Sequence, residues 1–320
     1  MGPLGGLVIN FRYHLVSLAA VLLALAAGIV LGAGVLDEPL GGSGSSTDQQ
    51  AQIDALGQQV NALQGRVSYD DAAAAALAPA VLPGQLAGAS VVVVVTPGTE
   101  GAQVAQLVEA LKAAGATVTG QVDLQEAWFD PGQASVLTAL AEQLVPPDVE
   151  LPAGGPYAKA GAALAGALVT SETPAPSDPS ETSVAVLTGF EEGGFITVSG
   201  TPAVPAQLAL VVSPAGPEVP DDAASAATDT LLPLVAALDS GVGAVVAGPE
   251  GSTRPGGLVA ALRDSGPVRR QVSSNDIADS ASGVIATVLA LTQQIGGTTG
   301  QYGIGPGADA AMPPVAVPGG

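Results

Sequence analysis

The chain has 320 residues, room for one large domain or two small ones, and 48% of them are apolar. It carries 29 acidic against 8 basic residues, a net charge of −21, which argues against binding to nucleic acid or anionic lipid headgroups. With no Cys, it has no disulfide, no thiolate chemistry, no Fe–S cluster and no lipid anchor on Cys.

Residues 1–14 hold one arginine, Arg12, and residues 15–36 hold no charged side chain. A helix of that length spans roughly 33 Å at about 1.5 Å per residue, close to the hydrocarbon thickness of a bilayer. This predicts a single transmembrane helix over 15–36. Arg12 lies before it and every acidic residue lies after it, so the N-terminus (1–14) is expected inside and the rest outside the cytoplasm. The rival reading is an export signal cleaved near residues 32–34, although signal h-regions run only about 7–15 residues. Gly28 and Gly32 form a GxxxG pair, which suits close helix packing in lipid.

Residues 37–48 read as a flexible Gly/Ser linker. In the stretch 49–78, Ile53, Leu56, Val60, Leu63 and Val67 follow a 3-4-3-4 spacing. That is the a/d seam of a short coiled-coil stalk, and a homodimer is expected, since an anchor just upstream would align two copies. The competing reading is an amphipathic helix lying on its own domain. Gly57 and Gly65 each weaken the helix by ~1 kcal/mol relative to Ala.

Residues 84–300 read as a doubly wound, mostly parallel α/β (Rossmann-like) domain. The run of five valines ending at Val95 has the pattern of a strand buried on both faces. A helix over 99–114 and a strand over 116–124 complete a βαβ unit. Helices follow near 132–145 and 156–169. A polar Pro/Ser loop spans 171–183. Strands are then expected at 184–187, 195–198 and 207–212, a helix at 222–238 and a strand at 243–247. A helix at 255–264, a short strand around 268–272 and a helix at 279–295 complete the domain. The Gly/Pro-rich end, 301–320, is expected to be disordered.

Candidate ligand or partner positions cluster at strand ends. Thr96, Gly98 and Thr99 precede a helix N-terminus, an anion-friendly place, yet no GxGxxG and no Walker lysine is present. Glu191 and Glu192 could meet a cation or form a solvated hairpin turn. Ser273, Asn275 and Asp276 could face a partner or ligand, or serve as turn and cap residues. No catalytic, cofactor or metal residue is assigned. His14 is the only histidine, so a Ser-His-Asp triad cannot be built outside, and a zinc site lacks its usual donors. Trp128 and Phe129 are the only adjacent aromatics and read as core rather than as a sugar platform. The chain is not expected to be an enzyme.

The stretch INFRYHLVSLAAVLLALAAGIVLGAG, carrying Asn10, Phe11, Arg12, Tyr13 and His14, resembles the N-terminal signature of the mycobacterial copper transport protein B family. The closing stretch ADSASGVIATVLALTQQIGGTTGQYG is similar to that family's end, so the resemblance spans nearly the whole chain. Members usually begin just before the signature, which makes Val8 an alternative start. The resemblance implies a copper transporter, in one member an outer-membrane channel for copper resistance. In another branch it implies a regulator of the septal envelope with an inner-membrane protein partner. Copper is thus implied by resemblance alone. Cu(I) favours Cys and Met and Cu(II) favours imidazole, and this chain offers only Met1, Met312 and His14. The residues themselves favour a membrane-anchored scaffold or regulator of the cell envelope. The alternative is an oligomeric copper channel in the envelope, with an outer-membrane location.

Overall fold

The computed structural model describes residues 45–146, 149–219 and 222–314. The expected anchor over 15–36, its signature residues Asn10 to His14 with Gly28 and Gly32, and the linker up to residue 44 lie outside the described residues. No helix among the described residues is long and apolar enough to cross a membrane. The chain divides into two units, Met1–Arg66 and Val67–Gly320.

Helix α1 runs Ser45–Val81. It starts inside the segment read as a linker and extends the expected stalk at both ends. Pro79 sits two residues before its end, and Leu82 donates its N–H back to Ala78 O before the chain turns. In the larger unit the elements are β1 (Ser90–Val95), α2 (Gly101–Ala113), β2 (Thr117–Leu124), α3 (Ala134–Leu144), α4 (Pro156–Leu168), α5 (Glu181–Glu192) and β3 (Ile196–Gly200). They continue with β4 (Leu208–Val212), α6 (Asp222–Leu238), β5 (Gly243–Ala247), α7 (Leu258–Asp264), α8 (Gly266–Arg269), β6 (Ser273–Asn275), α9 (Ala281–Ile295) and β7 (Gln301–Tyr302).

The seven strands form one sheet in the order β3-β2-β1-β4-β5-β6-β7. Every pairing is parallel except β2 with the edge strand β3, which is antiparallel. The valine run explains the centre. Val92 and Val94 face the cluster built with α4, α5, α6 and α7, whereas Val91, Val93 and Val95 face the cluster built with α2 and α9. Both faces of β1 are therefore dry, and period-2 alternation of polarity is absent for a physical reason. The mostly parallel α/β class agrees with the sequence-based expectation.

Three local expectations are corrected. The segment 184–187 is helical, inside α5: Ser180 caps the helix, its Oγ accepting the Ser183 N–H at 2.9 Å, and Ser183, Val186, Leu187 and Phe190 are buried at helical spacing. Around 268–272 the chain forms α8, opened by Pro267 in its first turn, and the strand follows at Ser273–Asn275. That strand is polar because side chains, not apolar packing, hold it.

The third correction concerns the end expected to be disordered. Residues 301–314 are tied to the domain. Arg263 and Asp276 form an ion pair at 2.6 Å with both side chains 2% exposed. Arg263 also donates to Tyr302 O at 2.7 Å and Pro306 O at 2.9 Å. Asp276 accepts the N–H groups of Ile304 at 2.8 Å and Gly305 at 2.9 Å. Asp309 pairs with Arg269 at 2.7 Å and accepts the Gln301 N–H at 3.0 Å. Glycine and proline suit this tight path here, where buried polar partners replace an apolar pattern.

Candidate functional site

The order of the sheet reverses between β1 and β4. From β1 the chain moves outward to β2, and from β4 it moves the other way to β5. Beyond the carboxyl ends of such a pair the connecting segments diverge and leave a crevice. Three central strands end with similar punctuation: Thr96-Pro97-Gly98 after β1, Ser213-Pro214-Ala215-Gly216 after β4 and Gly248-Pro249-Glu250-Gly251 after β5. Proline lacks the N–H that would extend the ladder, so each strand stops at the crevice. Gly98 turns with φ +82°, a conformation that side chains resist. At Gly257, which opens α7, an added Cβ would lie 2.2 Å from Ser252 O, so glycine alone fits.

Two recesses lie in this crevice and share Pro214 and Ala215 as a common wall. The first, about 260 Å³, is mainly apolar, with Pro97, Phe129, Ala227, Leu231 and Leu258 in its lining. Ser213 also lines it; the residue is fully buried and its Oγ has no hydrogen-bond partner. The second, about 590 Å³, is polar: Glu100, Gln103, Gln106, Glu250 and Asp279 line it. Gln103 is buried there and its Nε2 has no partner. Asp279 accepts the Glu250 N–H at 3.2 Å, which ties the loop after β5 to the segment before α9. No side chain caps α2, so its first-turn N–H groups are unspent beside Gln103.

The positions singled out in the sequence fare unequally. Thr96 and Thr99 shape the turn: Thr99 Oγ1 donates to Thr96 O at 2.7 Å, and both hydroxyls reach Val212 O at 3.3 Å. With Gly98 they stand at the crevice. Glu191 and Glu192 are on the last turn of α5, not in a hairpin, and Glu191 accepts the Val198 N–H at 3.3 Å. Ser273, Asn275 and Asp276 are not a surface; all three are buried. Ser273 Oγ accepts from Gln294 Nε2 at 2.9 Å, and Asn275 Nδ2 donates to Gly283 O at 2.7 Å and Thr287 Oγ1 at 2.8 Å. The cap of α9 is Ser280, whose Oγ accepts the Gly283 N–H at 3.0 Å. Trp128 is buried against Phe190 with ring centroids 5.9 Å apart, while Phe129 reaches the apolar recess. Gln103, Ser213, Glu100 and Glu250 were not singled out, although the repeated Pro-Gly punctuation marked the loops that bring them together.

Burial pushes the Asp239 carboxyl up to about 6, against the pull of the Ala244 N–H, but Asp239 precedes β5, at the end of that strand opposite the crevice. Among the described residues no group of three or more His, Cys, Asp or Glu could hold a metal ion.

On α1, Ile53, Leu56, Val60, Leu63 and Val67 are between 50 and 67% exposed. They form the stripe that the spacing predicts, and these five side chains lie uncovered.

These features define a class: an α/β protein with a switch-point crevice and a long helix bearing an exposed apolar stripe. The family model described as "Copper transport outer membrane protein, MctB" matches residues 8–313. The chain belongs to that family. It is 31% identical over 313 residues to the copper transporter MctB of Mycobacterium tuberculosis (strain ATCC 25618 / H37Rv), covering 94% of this chain and 98% of that protein. To the copper transporter MctB of Mycobacterium leprae (strain TN) it is 32% identical over 337 residues, covering 96% of this chain and all of that protein.

Proposed function

We propose that the chain is a membrane-tethered, extracytoplasmic envelope protein that dimerises through α1 and acts as a scaffold or regulator by binding partners, not by catalysis. The observation that carries this reading is the exposed stripe of Ile53, Leu56, Val60, Leu63 and Val67. Its 3-4-3-4 spacing is self-complementary, so a second copy in parallel register is the occupant it fits. Each Leu, Ile or Val buried in the seam contributes about 1.5–3 kcal/mol. That exceeds the ~1 kcal/mol lost at each of Gly57 and Gly65. An anchor over 15–36 would hold two copies side by side and raise their effective concentration. The inner-membrane partner expected from the family resemblance belongs to this same reading.

Sedimentation equilibrium of the full chain in density-matched detergent tests it. A dimer that becomes a monomer when Ile53, Leu56, Val60 and Leu63 are changed to Ser supports the seam. An unchanged dimer, or a monomeric wild type, refutes it.

That the relatives are named copper transporters favours a second reading, in which copper is cargo. The chain supplies no Cys, one His and two Met. In that reading the metal crosses a pore made by several copies, or is handled by a partner with softer donors.

A further inference from the structure

The Pro/Ser loop between α4 and α5 is longer than its place in the fold requires. It departs at Thr170, whose N–H donates to Ala206 O at 2.8 Å, and returns at Ser180, whose N–H donates to Ala203 O at 3.4 Å. Gln207 Nε2 steadies the departing end by donating to Glu172 O at 3.1 Å. Both ends are thus pinned to residues 203–207, and the nine residues 171–179 bow out between them. That is the form of an Ω-loop, which is frequently functional. None of the nine belongs to either core cluster, and only Ala175 and Pro176 are even half-buried. Neither packing nor connection explains why the chain carries them.

The loop reads SETPAPSDP, so it presents hydroxyls, prolines and carboxylates. Its three prolines deny it a helix or a strand ladder and keep the backbone extended. Thr173 stands directly before Pro174 and Ser177 directly after Pro176, and both are exposed. Thr173 Oγ1 accepts from Gln207 Nε2 at 3.4 Å, which leaves its own proton free. Ser177 Oγ donates to Asp178 Oδ2 at 3.1 Å on the surface. Ser180 differs: its Oγ accepts the Ser183 N–H at 2.9 Å and donates to Ser183 Oγ at 2.7 Å, so that hydroxyl is spent on the cap of α5. Exposed Ser and Thr set among prolines have the make-up of O-glycosylated segments. Attachment through asparagine is closed to this chain, because Asn10, Asn61 and Asn275 each lack a Ser or Thr two residues on.

We propose that Thr173 and Ser177 are acceptors of O-linked sugar. The inference rests on the extracytoplasmic placement proposed above, which exposes the loop to lipid-linked sugar donors. The donor is a sugar joined through its anomeric carbon to a polyprenyl phosphate, and the agent is a membrane-bound glycosyltransferase. The hydroxyl oxygen attacks the anomeric carbon, and the bond from that carbon to the phosphate oxygen breaks. The hydroxyl proton ends on the departing polyprenyl phosphate, and no oxidant or reductant is needed. The pinned ends hold both hydroxyls clear of the domain, so a bulky substituent there displaces no packed side chain.

The test is mass spectrometry of the full chain purified from the membranes of the cells that make it. Cleavage after Glu172 and Glu181 releases residues 173–181 as one peptide, and electron-transfer fragmentation places any added mass on a residue. The proposal predicts whole hexose increments on Thr173, on Ser177 or on both. The double variant Thr173→Ala, Ser177→Ala should lose them with its circular dichroism unchanged, since both side chains are exposed. A peptide that carries no sugar overturns the proposal. So does sugar confined to Ser180 or to other segments, sugar that persists in the double variant, or phosphate in place of hexose. Ser135→Cys, at an exposed position of α3 in a chain without cysteine, reports the placement separately through a membrane-impermeant maleimide in right-side-out vesicles. A bare peptide with Cys labelled overturns the sugar alone; a bare peptide with Cys protected overturns the placement as well. None of these outcomes depends on the oligomeric state.

Discussion

Replacing Asp276 by Ala removes the centre of the contact that ties the C-terminal segment to the sheet. Asp276 neutralises Arg263 at 2.6 Å and accepts two backbone N–H groups, from Ile304 and Gly305. Both side chains are almost wholly buried, so the variant leaves a guanidinium uncompensated and two amides without an acceptor. Removing one partner of a buried pair costs about 3–5 kcal/mol, a large part of the 5–15 kcal/mol that holds a typical domain together. At about 2–4 °C per kcal/mol for a domain of this size, the midpoint falls by roughly 10 °C. The assay is guanidinium unfolding followed by the emission of Trp128, the only tryptophan, together with hydrogen exchange over residues 301–310. Loss of protection in that segment should accompany the loss of stability. Asp276→Asn keeps one acceptor oxygen and should cost less, so the comparison survives if the Ala variant fails to fold. A loss under about 1 kcal/mol with exchange unchanged over 301–310 refutes the reasoning.

Asp239 sets a pH dependence of definite sign. Its folded carboxyl titrates at about 6, above its unfolded value, so the folded state binds the extra proton and stability falls as pH rises from about 4 through 6. Because Asp239 is only half buried, the effect is discounted for screening to about 1 kcal/mol. Asp239→Asn, which keeps the acceptor for Ala244 N–H, should remove this slope relative to the wild type, and parallel pH profiles of the midpoints would contradict it. Gly98→Ala places a side chain at φ +82° and should cost about 1–2 kcal/mol in urea unfolding; a neutral result would mean that the turn relaxes. Isothermal titration of the full chain with Cu(I) or Cu(II) should show no stoichiometric site of sub-micromolar affinity, and finding one would overturn the donor inventory.

Much of the larger unit was legible because apolar periodicity carried it. The valine run, α2, α6 and β5 lie at or within two residues of where pattern and punctuation put them. The failures have a common cause. Residues 184–187 look like a strand until Ser180 is seen as a cap, and β6 is Ser-Ser-Asn, held by Gln294, Arg263 and Gln301, so hydropathy could not find it. The same applies to the C-terminal segment, where glycine suggested freedom and a buried ion pair supplies order. At the crevice, Thr96, Gly98 and Thr99 were visible as a strand end before a helix. Gln103 and Ser213 were not, because an unpaired polar side chain is a property of packing and leaves no mark on spacing.

The central claim is that two copies meet along Ile53, Leu56, Val60, Leu63 and Val67. The chain has no cysteine, so single cysteines report contacts without background. Leu56→Cys and Leu63→Cys, placed on the seam, should each form a disulfide with the same residue of a second copy when the full chain is oxidised in its membrane. Gln58→Cys, on the outer face of the same helix, should not. Crosslinking at positions 56 and 63 but not 58 is the predicted result. No crosslinking at any of the three, or equal crosslinking at all of them, would contradict the account.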